Sequence, residues 1–180
     1  EDCLEGWMTL AALLHETRRL RGGVLVSGMV YRHPGLLAHM ATTLDITSGG
    51  RLELGVGAGW NEEECDAYGI HLGSLGERFD RFEEGMAVIA GLLRDERATF
   101  DGRYFRLHEA MNNPKPVQQP LPICIGGAGL RRTMPLAAVS PHSTVTTARP
   151  TGSSQQRSNR KRACVRHRSQ PAPATRGPAR

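Results

Sequence analysis

The chain has 180 residues, 39% of them hydrophobic and 5% aromatic, enough for one domain with a modest core. Residues 1–140 hold 14 Lys and Arg against all 18 acids, a net −4, whereas residues 141–180 hold nine bases and no acid, a net +9. No apolar run approaches the roughly 18 residues of a membrane helix, nothing at the N-terminus reads as a signal peptide, and the scattered Cys3, Cys65, Cys124 and Cys164 suit free thiols in a reducing cytoplasm better than a disulfide or zinc framework.

In chain order, Leu10, Leu13, Leu14 and Thr17 recur at helical spacing, with Arg18, Arg19 and Arg21 in a last turn before Gly22-Gly23. That predicts a helix over residues 7–21. Gly23–Ser27 is a continuous apolar run of strand length, as in a parallel sheet covered on both faces. Pro34 opens a second helix through Leu36, Leu37, Met40, Ala41 and Leu44, closed by Ser48-Gly49-Gly50.

The stretch Arg51–Asn61 is a strand running into Gly57-Ala58-Gly59, followed by Trp60 and an acidic helix start at Glu62-Glu63-Glu64. Phe79, Phe82, Met86, Ile89 and Leu93 form one face of a longer helix. Residues 99–105 read as a β-hairpin with an Asp101-Gly102 turn. Pro114, Pro116, Pro120 and Pro122 then lead to the strand Ile123-Cys124-Ile125, to Gly126-Gly127-Ala128-Gly129, and to the opening of another helix. Alternating strands and helices predict an α/β fold with a parallel sheet, in which each strand ends in small residues. Ligand contacts at the carboxyl ends of such strands are what a (β/α)8 barrel offers.

From about Pro141 the periodicity stops. Residues 141–180 are rich in Arg, Ser, Pro and Thr, so residues 1–140 read as the folded domain and 141–180 as a disordered basic tail. The run Arg157–Arg168 has the charge of an arm for nucleic acid or an acidic partner, the alternative function. It contains no aromatic to stack on bases, which weighs against nucleic acid.

The run VLVSGMVYRHPGLLAHMATTLDITSGGRLELGVGAGWNEEE, with LGERFDRFEEGMAVI, TFDGRYFRL and NPKPVQQPLPICIGGAG behind it, resembles the luciferase-like monooxygenase family over residues 4–138. More narrowly, it is similar to the branch that uses the deazaflavin coenzyme F420 in place of FMN. The resemblance implies an oxidoreductase with a (β/α)8 barrel and the ring of F420 or FMN at its mouth. The reaction would be hydride transfer to or from a small organic substrate, or its oxygen-dependent oxidation.

It further implies a non-prolyl cis peptide in a bulge near Val24-Leu25, with Ser27 close to the ring. Gly57, Ala58, Gly59 and Asn61 match positions bordering the cofactor, and Gly126 and Gly127 match a pair whose backbone N–H groups bind its phosphate. No catalytic acid or base is implied. In the sugar-phosphate dehydrogenase branch an acid on the central turn acts near the hydride, whereas Trp60 follows Gly59 here. Family members are commonly dimers.

A complete barrel of this kind runs to about 250 residues, and three strand–helix units plus a hairpin make a partial one. The chain therefore reads as a fragment with a frameshifted tail, inactive as it stands. Gly55-x-Gly57-x-Gly59 resembles a dinucleotide fingerprint, but the third glycine of G-x-G-x-x-G falls on Trp60, so it reads first as a turn that lets a ring approach the backbone closely. His33 reads first as a loop histidine and second as a proton donor or phosphate contact. His15 and His39 read as structural, and His71 and His108 have no neighbours in sequence to form a metal site.

Overall fold

The structure, a computed structural model, describes residues 2–127, 143–146 and 162–166. Its first elements are α1 (Gly6–Glu16), β1 (Arg21–Leu25), β2 (Ser27–Gly28), α2 (Pro34–Thr47) and β3 (Leu54–Gly57). There follow α3 (Glu62–Ala67), α4 (Leu75–Arg94), β4 (Ala98–Asp101), β5 (Arg106–Ala110) and β6 (Ile123–Gly126), then β7 (Ser143–Thr146) and β8 (Arg162–Arg166). The order of helices and strands through β6 is the one the hydrophobic patterning predicts.

The centre is a parallel sheet in the order β2-β3-β6-β7. β1 continues into β2 across a cis Leu25–Val26 peptide, one residue beyond the expected bulge, and its Gly22 makes an isolated parallel bridge to Leu52, two residues before β3. β4 and β5 form a separate antiparallel hairpin. β8 pairs antiparallel with β1. Two strands, β7 and β8, are therefore described within residues 141–180, and the rest of that segment lies outside the described residues. So does the helix expected after Gly129.

The sheet is buried by α1, α2 and α4. Leu54 and Val56 of β3 and Ile125 of β6 are inaccessible, and they pack with Leu14, Leu37 and Ile89 in one core. On α4, Phe82, Met86 and Ile89 face that core and Phe79 and Leu93 flank it, as their spacing predicts. Ser74 and Glu77 close the start of α4 in a reciprocal capping box. On α1 and α2 the stripe is narrower than expected, since Leu13 is 40% and Leu36 55% exposed. Each adjoins a buried leucine, and successive helical residues point about 100° apart.

Two boundaries differ from expectation for reasons of long-range contact. α1 ends at Glu16 rather than near Arg21, because the Arg51 guanidinium donates to the carbonyls of Leu14 (2.6 Å) and Leu20 (3.0 Å). Helix-end carbonyls without such a partner would favour another turn. Thr17, already extended, donates its hydroxyl to Leu13 O at 2.6 Å.

The hairpin turns not through a tight Asp-Gly pair but through residues 102–105. The Glu84 carboxylate of α4 accepts the backbone N–H groups of Arg103, Tyr104 and Phe105 at 3.0, 2.8 and 3.2 Å. A Cβ at Gly102 would run into that carboxylate.

Candidate functional site

The carboxyl ends of the parallel strands lie side by side. Ser27 and Gly28 of β2 stand opposite Val56 and Gly57 of β3, and Val56 stands opposite Ile125, which puts Gly126 next in line. Four small residues therefore share one edge of the sheet. Over them lies Val26, the residue after the cis bond. A Cβ at Gly57 would stand 2.8 Å from Val26 Cγ2, and one at Gly126 would stand 2.8 Å from both Val26 methyls. These glycines are required by the isopropyl group that covers them, and together they give a shallow apolar floor.

The turn beyond β3 is equally confined. Gly59 has φ +92°, a conformation that L side chains rarely adopt. A Cβ there would meet Val30 Cγ2 at 3.0 Å, while a Cβ at Gly28 would come within 3.4 Å of Gly59 Cα. Ala58 is partly buried against the core. Gly127, at φ +147°, follows Gly126 at the end of β6.

Ser27 is buried, and its hydroxyl accepts the Trp7 indole N–H at 2.5 Å. Asn61 caps α3: its Oδ1 accepts Glu64 N–H at 3.2 Å and its Nδ2 donates to Glu64 Oε2 at 3.3 Å. The same carboxylate oxygen accepts the Tyr31 hydroxyl at 2.6 Å. Burial, then the adjacent carboxylate, push the Tyr31 phenol well above its usual pKa, so it stays protonated as a donor. The Tyr31 ring lies against Gly28. Arg78 of α4 reaches the Gly59 carbonyl with Nη1 at 3.5 Å, and its buried Nε has no hydrogen-bond partner.

The structure thus brings Ser27, Gly57, Ala58, Gly59, Gly126 and Gly127 to one end of the sheet, with Asn61 beside them serving α3. Sequence reasoning missed Val26, Trp7, Tyr31 and Arg78. Val26 carried no signal of its own, being one of two valines in the apolar run Gly23–Ser27. For Trp7, 20 residues from its partner, there was none. Of the three glutamates, Glu62 and Glu63 are exposed and only Glu64 turns inward. His33 caps α2 through Gly35 N–H (3.1 Å) and meets Phe105 edge-on at 5.3 Å. Among the described residues, no three His, Cys, Asp or Glu are placed to hold a metal, and no helix is long and apolar enough to cross a membrane.

The Val26 isopropyl group, seated where side chains at Gly57 and Gly126 would stand, is an apolar surface of the kind a planar redox ring can rest on. The sequence profile of the family described as luciferase-like monooxygenase matches residues 2–179, well past residue 138, where the likeness read from the motifs stops. An uncharacterized Mycobacterium tuberculosis protein is 33% identical over 146 residues, covering 81% of this chain and 51% of its own. The F420-dependent glucose-6-phosphate dehydrogenase of Microbacterium testaceum is 36% identical over 121 residues, 67% of this chain and 35% of its own. Among solved structures, an F420-dependent secondary alcohol dehydrogenase, crystallised with an F420-acetone adduct, superposes with a TM-score of 0.70 at 25% identity. That match covers 79% of this chain and 43% of the other. The chain therefore spans about half, or less, of the length of the relatives it matches.

Proposed function

Because the chain belongs to the luciferase-like monooxygenase family, we propose that it supplies the cofactor floor of an oxidoreductase that uses F420 or FMN. The ring would rest on Val26 with Ser27, Gly57, Ala58, Gly59 and Asn61 around it, and Gly126 and Gly127 would offer backbone N–H groups to its phosphate. The observation that carries this reading is the Val26 side chain spread over two glycines at neighbouring strand ends. When bound, the cofactor supplies the electron chemistry, by hydride transfer or oxygen-dependent oxidation of a small organic substrate.

The chain's own part is placement. Val26 gives the ring an apolar backing, and Gly57 and Gly126 leave the room that its isopropyl group needs. Trp7 fixes the Ser27 hydroxyl oxygen as an acceptor, leaving its O–H to donate. Tyr31 and Glu64 hold the loop after β2 against α3. The intact enzyme is proposed as a cytoplasmic homodimer, with residues 1–140 as the body of its partial barrel and the basic segment 141–180 adding β7 and β8 to that body. Titrating F420 and FMN separately into the protein and following cofactor fluorescence tests the reading. Saturable binding of one of them supports it, and no binding of either overturns it.

A further inference from the structure

Trp60 is 62% exposed, immediately beyond the strand-end floor. Its backbone is held on both sides. Gly59 is locked at a positive φ between Val30 and Leu72, and Asn61 is committed as the cap of α3. One peptide link, about 3.8 Å between Cα atoms, separates Trp60 from Gly59, which itself borders Gly28. A large, exposed indole is thus carried one residue from the edge of the floor on backbone held on both sides. Such an indole gains most when something flat or aliphatic covers it. The exposed charges that follow it are the carboxylates of Glu62 and Glu63, which repel a phosphate ester.

Resting on the reading that the strand ends hold a flavin-type ring, we propose that Trp60 is a specificity-determining wall on the substrate side. Its indole covers the uncharged, apolar part of the organic substrate and so selects neutral apolar substrates over sugar phosphates.

The two tryptophans of the chain make the test direct. Trp7 is 4% exposed and Trp60 is open, so acrylamide quenching reports on Trp60. F420 or FMN is first titrated into the wild type, Trp60→Phe and Trp60→Ala, which tests the floor by itself. At saturating cofactor, straight-chain alcohols of increasing length are then added, and glucose 6-phosphate separately, with quenching read in the wild type and affinity read by titration calorimetry in all three proteins.

The longer alcohols should shield Trp60 from acrylamide. They should bind about ten-fold more weakly to Trp60→Ala and within about three-fold of wild type to Trp60→Phe, with cofactor affinity unchanged in both variants. Glucose 6-phosphate should give no shielding. If the cofactor binds but the alcohols hold to Trp60→Ala as tightly as to wild type, or glucose 6-phosphate shields Trp60, the wall is overturned and the floor stands. If neither cofactor binds, the floor itself has failed and the wall falls with it.

Discussion

The Trp7 indole N–H donates to the Ser27 hydroxyl at 2.5 Å, tying the first turn of α1 to the strand end that begins the floor. Both side chains are buried, so no water replaces the bond if it is broken. Trp7→Phe keeps most of the apolar volume and removes the donor. Chemical denaturation should show a loss of about 1 kcal/mol, and affinity for F420 or FMN should fall as the Ser27 hydroxyl loses its fixed orientation. Ser27→Ala in the Trp7→Phe background should cost little more in stability, because the two changes remove one bond.

Gly57 and Gly126 are set by one neighbour. Gly126→Ala should destabilise by about 1–3 kcal/mol through its collision with the stiff Val26 side chain. Adding Val26→Ala should recover part of that loss, since the colliding methyls are then gone. Denaturation of the two single variants and the double variant measures the coupling. Additive losses would mean that Val26 is not what excludes a side chain at Gly126.

Arg51 holds three pieces of chain together. Besides the carbonyls of Leu14 and Leu20, its guanidinium reaches Ser48 O at the end of α2. Arg51→Met keeps the aliphatic stem and leaves those carbonyls unpaired, so a loss of about 2–3 kcal/mol is expected. Hydrogen exchange should quicken at the end of α1 and the start of β1 before it does in α4.

The α4 capping box has an acid dependence. Backbone and side-chain hydrogen bonds from Ser74 hold the Glu77 carboxyl below its usual 4.5. A carboxyl lowered in the folded state adds stability that is present above its unfolded pKa and is lost as pH falls through the folded one. Glu77→Gln retains an acceptor for Ser74 N–H without the charge. Wild-type stability should therefore drop more steeply than that of Glu77→Gln as pH is lowered from 4.5, and the two should run parallel at neutral pH.

What the sequence made legible was what neighbouring residues decide. The stripe Phe82, Met86, Ile89 predicts α4 and its buried face, Pro34 and Gly49-Gly50 bracket α2, and the glycines at 57 and 126 mark the strand ends. What it hid depends on residues far apart in the chain. Arg51 stops α1 from 37 residues away at Leu14. Glu84 turns a two-residue hairpin loop into a longer one. Val26 reads as one more valine in an apolar run until the fold lays it across β3 and β6. Asn61 was legible as a residue beside the turn, and its side chain is engaged with Glu64, a role that any helix start could give it.

The central claim is that a planar redox ring lies on the Val26 isopropyl group at the ends of β2, β3 and β6. The most direct measurement is an isotope-edited nuclear Overhauser experiment on valine-methyl-labelled protein saturated with FMN or F420, with Val26→Ala assigning the resonances. The account predicts cross-peaks between the ring protons and both Val26 methyls. A bound ring whose cross-peaks go only to other valines, with none to Val26, would contradict it.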